Sequence, residues 1–309
     1  MNREWQAIRK ADFDIAIFAC GYEARSTFIS KEIDGEIGTL AVLDYKSFDE
    51  GSYNTNSEYF EQLSNVERID VSGQKDARCA IVALIAKIAS ESSQAKATNV
   101  LFDISSCSRS TLAQSLLALA SLPVVVTFVY AVSEWFEPPV DEPASSFSEP
   151  VLGDLAGWSD NLTSPPCAIV GLGFEPGRAL GTIDYLEVPE VRLFLPDGPD
   201  SRFKAAVTDA NGLLLDEIGE RTIPYDVRDP SDIHQKLFSL ISGLIPHFRP
   251  IIIPFGPKIF AVVSMLLAVR SFSSLCIWRT SSGNDSLPKD RDASGEVIAF
   301  QYDFSLIQN

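Results

Sequence analysis

The sequence predicts an α/β protein: two tandem Rossmann-like lobes, each a doubly wound parallel sheet, derived from an internal duplication. Three observations carry the prediction. Short apolar runs alternate with helical segments, the pattern of a parallel sheet covered on both faces. The second half of the chain repeats the first, segment by segment and in the same order. Between the halves lies a stretch rich in proline, serine and acidic residues, which is linker composition.

Residues 15–20 read as the first strand, followed by a helix to about residue 31. Residues 39–44 are a second strand, 56–63 a helix and 66–71 a third strand. DARCAIVALIAKIASES, from Asp76, places Ile81, Leu84, Ile85 and Ile88 at helical spacing. Residues 100–102 are the fourth strand, a helix follows DISSCSR, and 124–132 are the fifth. The uncharged stretch 110–133 is long enough to cross a bilayer, but Pro123 splits it. Its first part has helix formers and its second, VVVTFVYAV, is β-branched and aromatic. Helix, turn and buried strand is therefore expected.

The repeat is explicit. AIFACGYEAR from Ala16 matches AIVGLGFEPG from Ala168. The strand ending at Asp44 matches the one ending at Asp197. IDVSGQKDA from Ile69 matches YDVRDPSDI from Tyr225, VLFDISSCSR from Val100 matches IIIPFGPK from Ile251, and TFVYA matches LCIWR. Loop-length variation accounts for the drift in spacing. The expected organisation is a first lobe over 1–132, a linker over 133–166 and a second lobe over 167–309. Trp135, Phe136 and Trp158 suggest that the linker packs onto a lobe. A polar loop from Arg279 precedes a last strand at 297–302 and could close over a site.

At 309 residues, 46% hydrophobic, the chain is long enough for two cores. Its net charge of −17 argues against duplex nucleic acid, which needs clustered cations, but allows a small anion in a local pocket. The five cysteines are scattered without metal-ligand spacing, so free, mostly buried thiols in a reducing cytoplasm are expected. The N-terminus has no signal-peptide pattern, which leaves the Asn161-Leu162-Thr163 sequon without a secretory context. No membrane association is expected.

Ligands of doubly wound sheets bind beyond the carboxyl ends of the strands, where strand order reverses. The polar residues gather at those ends. Gly21 and Gly173 follow the first strand of each lobe, where glycine permits a tight turn and close ligand approach, although neither loop is G-x-G-x-x-G. Glu23, Arg25, Asp44, Ser105, Ser106 and Arg109 would converge in the first lobe, and Glu175 and Lys258 join Gly173 in the second. Hydroxyls, helix-start N–H groups and Arg109 suit an anion. Alternatively, Ser105 or Ser106 caps the helix. The matching PFGPK keeps a cation but lacks the serines, so the first lobe is the expected site. If the protein is an enzyme, Glu23 and Asp103 are its acid–base candidates. Cys107 or a serine nucleophile lacks a base, since His234 and His247 sit in structural or surface contexts.

Three function classes follow: a sensor of a nucleotide-like or phosphorylated ligand, an enzyme acting on such a molecule, or a protein-interaction subunit. The duplicated plan is similar to that of tandem sensor modules that recognise nucleotide second messengers in bacterial defence, without a shared motif. The first class is preferred because no strong catalytic motif is present. No cofactor or metal is singled out.

Overall fold

The computed structural model describes residues 3–91, 97–138, 147–158, 163–281 and 289–306. Asn161 and Leu162 of the sequon and residues 282–288 of the polar loop fall outside them. The chain divides into two compact units, Met1–Glu134 with Pro288–Asn309, and Trp135–Leu287.

The first unit contains α1 (Arg3–Ile8), β1 (Phe13–Cys20), α2 (Phe28–Glu32), β2 (Ile37–Asp44), α3 (Tyr53–Glu61) and β3 (Val66–Asp70). It continues with α4 (Arg78–Glu91), β4 (Thr98–Asp103), α5 (Arg109–Ala120) and β5 (Val124–Ser133). The second contains β6 (Phe147–Pro150), β7 (Pro166–Gly171), α6 (Arg178–Leu186), β8 (Glu190–Asp197), α7 (Ser201–Ala210) and α8 (Gly212–Ile218). β9 (Thr222–Asp226), α9 (Pro230–Leu244), β10 (Arg249–Pro254), α10 (Lys258–Arg270) and β11 (Cys276–Ser281) complete it. The last strand, β12 (Ala293–Asp303), returns to the first unit.

Each unit is built on a six-stranded sheet, ordered β12-β5-β4-β1-β2-β3 in the first and β6-β11-β10-β7-β8-β9 in the second. Five strands of each are parallel, and the outermost, β12 or β6, runs antiparallel. The repeat in the sequence is thus a repeat of architecture. Strand order reverses between β1 and β4, and between β7 and β10.

Period-two burial explains the layers. Ala16, Phe18 and Cys20 of β1 pack with Trp5, Ile29, Tyr53 and Phe60 from α1 to α3. The alternate residues Ile15, Ile17 and Ala19 are equally buried and serve the opposite face. In the second unit Ala168, Val170 and Leu172 meet Ala179, Val207 and Leu214 from α6 to α8. Helices α5 and α10 are buried nearly all round, as helices in the middle of a core must be. The stretch 110–133 is therefore α5, a turn and β5. Among the described residues no helix is long and apolar enough to cross a membrane.

The C-terminus departs from expectation. The last strand pairs with β5 from Val297↔Ala131 through Asp303↔Val125, so residues 288–309 belong to the first unit rather than the second. Conversely β6, read as linker, pairs with β11. The linker thus supplies the antiparallel edge strand of the second sheet, and the end of the second half supplies that of the first. Other departures are local. The helix expected after β1 is a 3-10 turn (Ala24–Thr27) and then the short α2. Trp135 and Phe136 do pack, against Phe203 and Phe174, but Trp158 is 79% exposed. All five cysteines are free. Four are buried and Cys79 is exposed.

Candidate functional site

The order reversal between β1 and β4 places two loops side by side, 21–27 after β1 and 104–108 after β4. Polar side chains fill both. β4 ends its pairing at Asp103↔Val129, yet β5 continues to Ser133. Beyond that point side chains take over the ladder. Ala131 donates its N–H to Ser105 Oγ at 2.7 Å and accepts from Arg25 Nη1 at 3.0 Å. Ser105 in turn donates its hydroxyl to Asp103, which also accepts the Ser105 N–H at 2.9 Å. Ser105 is fully buried and Arg25 is 2% exposed. A buried main-chain group left unpaired is costly, so this explains Arg25 and Ser105 without a ligand.

Glu23 neutralises Arg25. Its Oε2 lies 3.0 Å from Arg25 Nε, and Ser106 Oγ donates to it at 3.2 Å. Burial alone would lower the Arg25 pKa. Glu23 and Tyr130, whose ring lies 5.6 Å from the guanidinium carbon, more than reverse this and hold it above its ordinary value. Arg25, expected to bind the ligand, is therefore tied into the wall.

Asp44 does not join this group. It accepts from Tyr53 Oη at 2.8 Å and Arg68 Nη1 at 2.9 Å, towards α3 and β3. The thiol of Cys20 opposite is pushed up to about 12, by burial first and then by Asp44. Ser108, rather than Ser105 or Ser106, caps α5: its Oγ accepts from Thr111 N–H at 3.1 Å. Arg109 is the first residue of α5, earlier than expected, and half-buried. Ser106, Ser108 and Arg109 thus form the loop's outer edge, and Tyr45 Oη accepts the Ser108 N–H at 2.7 Å. Burial pushes the Tyr45 phenol up from its ordinary value. Cys107 is buried, its Sγ 3.7 Å from the Asp103 carbonyl.

Gly21 is not required by the turn. A Cβ there would meet Tyr45 at 3.6 Å and the Ser106 carbonyl at 3.9 Å, both ordinary contacts. Its carbonyl instead accepts from Asn56 Nδ2 at 2.9 Å, and Asn56 also donates to the Glu23 carbonyl. The second unit repeats the device, with Asn211 Nδ2 donating to the Gly173 carbonyl at 2.8 Å. At Gly173 a Cβ would collide with the folded-back Glu175 carboxylate. Lys258 opens α10 beyond β10, half-buried. Asp197 and Asp226 are paired with Lys204 and Arg228.

Sequence reasoning singled out the polar loop before the last strand but named none of its residues. Segment 289–292, just before β12, is stitched to the β1 loop. Asp290 accepts from the Ala24 N–H at 2.6 Å and the Ser52 hydroxyl at 2.5 Å. The Arg291 carbonyl accepts from the Arg25 N–H at 3.0 Å, and the Arg291 guanidinium reaches Glu23 at 3.7 Å. His234 stacks on Phe238 in α9 of the second unit at 6.0 Å. Among the described residues no cluster of His, Cys, Asp and Glu could hold a metal ion.

No family model matches the chain, and no curated protein matches it. Among solved structures, one similar chain is a "putative methyltransferase" from Thermoplasma acidophilum, 18% identical, with a TM-score of 0.21. The match covers 41% of this chain and 46% of that one, so it spans less than half of that structure's length. So slight a likeness carries nothing about function.

Proposed function

We propose that the first unit binds a small phosphorylated, nucleotide-like ligand at the β1–β4 reversal, and that the protein acts as a ligand sensor in a reducing, cytoplasmic setting. One observation carries this reading. The loop after β4 is DISSCSR and its counterpart after β10 is PFGPK, so matching architecture presents a rim of hydroxyls in the first unit and one without them in the second. Ser106, Ser108 and Arg109 at the start of α5 are the ligand-facing groups. Helix-start N–H groups and a guanidinium suit a phosphate.

Binding is favoured over catalysis because Glu23 and Asp103 already accept from Arg25, Ser105 and Ser106. A carboxylate engaged by donors on its charged form is a poor general base. The test is a thermal-shift screen with nucleotides and sugar phosphates, followed by chromatography of the ligand that stabilises. An unchanged ligand and loss of the shift in Arg109→Ala support the reading. A product would make the protein an enzyme, and a panel without any shift would refute ligand binding.

A further inference from the structure

A separate pocket lies wholly within the second unit. It is an open depression of about 620 Å³. The Trp135 indole and the Phe174 ring stand on its walls, and α7 lines it with Ala205 and Ala206. Small residues at those positions leave open a slot that larger ones would fill. Both walls are braced from behind. Trp135 meets Phe203 edge-on at 4.9 Å, and Phe174 meets Phe136 edge-on at 5.2 Å.

Two charged residues of α7 complete the lining. Arg202 lies over the Trp135 ring at 5.2 Å and is anchored by Asp200 through Nε at 3.0 Å and Nη2 at 2.6 Å. Asp209 is exposed, two turns along the same helix. Rigid aromatic and guanidinium faces are stacking platforms for nucleobases. A lipid chain would make no use of the charged groups, whereas a nucleobase uses both the rings and the carboxylate. The carboxylate selects among bases. A guanine edge offers adjacent N–H donors, whereas adenine sets an acceptor beside its donor, which a carboxylate repels.

We infer that the second unit carries a nucleobase site for a guanine-type base, between Trp135, Phe174 and α7 and read by Asp209. This site is independent of the anion site at the β1–β4 reversal. Its test therefore uses uncharged nucleosides, titrated calorimetrically into the full chain. Guanosine binds, and adenosine binds about tenfold more weakly, the effect of one unfavourable polar contact. Asp209→Asn, an exposed change, weakens guanosine about tenfold and leaves adenosine unchanged. Ala206→Trp fills the slot and abolishes binding of both, with the far-ultraviolet circular dichroism retained. Arg109→Ala leaves guanosine binding intact, which separates this site from the one in the first unit. Absence of guanosine binding at millimolar concentration, a preference for adenosine, or guanosine binding that survives Asp209→Asn would overturn the inference.

Discussion

Replacing Arg25 with methionine separates a ligand-binding arginine from one that holds the sheet together. The wild-type ion pair is sealed: the Arg25 and Glu23 side chains are 1% and 9% exposed, with Nε and Oε2 3.0 Å apart. Removing one partner of such a pair costs about 3–5 kcal/mol, because a buried charge loses its counterion. Here the loss has two parts. The Ala131 carbonyl loses its Arg25 donor at 3.0 Å, and an orphaned buried acceptor costs roughly 1–3 kcal/mol. Glu23 retains Arg291 at 3.7 Å, which puts the total towards the lower end of the range, about 3 kcal/mol. Native-state hydrogen exchange on β1, β4 and β5 reads this locally. Arg25→Met lowers the opening free energy of those strands with no ligand present, and adding Glu23→Gln recovers part of it. Unchanged protection would refute the structural role and return Arg25 to the list of ligand contacts.

Three further outcomes follow from the same geometry. Gly21→Ala shifts the stability of the first unit by less than about 1 kcal/mol, because its Cβ has room. Gly171→Ala costs the second unit about 1–3 kcal/mol, because its Cβ would meet the Phe260 ring at 2.6 Å; equal effects in urea denaturation would contradict this. Burial lowers the His234 pKa below its ordinary value. The unfolded chain therefore takes the proton first as pH falls, so this residue's stability contribution is full above about pH 6.5 and declines below it. His234→Phe should flatten that slope in pH-dependent melting, and an unaltered slope would assign it elsewhere. A fragment of residues 1–134 lacks β12 and should show a molten first sheet until a peptide of residues 288–309 is added. Native-like amide dispersion without the peptide would show that β12 is dispensable.

Much of the fold was readable because the signals are local. Alternation of strands and helices, apolar strand cores and the repeated AIFACGYEAR and AIVGLGFEPG place β1 and β7 within a residue or two. The placement of β6 and β12 was not readable: the partners of both edge strands lie far away in sequence, and nothing in ASGEVIAFQYD names β5 as its neighbour. At the candidate site, sequence located the loops but not the hydrogen bonds. The hydrogen bonds of Arg25 and Ser105 to the Ala131 main chain could not be read, because a main-chain partner carries no side-chain signature. Asn56 and Asn211 were not singled out, because a helix-borne amide that bonds a distant main-chain carbonyl carries no local sequence pattern. Arg291 lay in a loop that the repeat assigned to the other lobe.

The central claim is that the polar copy of the repeated loop, and not its counterpart after β10, holds the phosphorylated ligand. Isothermal titration of the nucleotide or sugar phosphate that gives the largest thermal shift tests it directly, in wild type, Arg109→Ala and Lys258→Ala. The account predicts binding that falls by about tenfold or more, the loss of a charged hydrogen bond, in Arg109→Ala and is unchanged in Lys258→Ala. Binding that persists in Arg109→Ala and is lost in Lys258→Ala would contradict it.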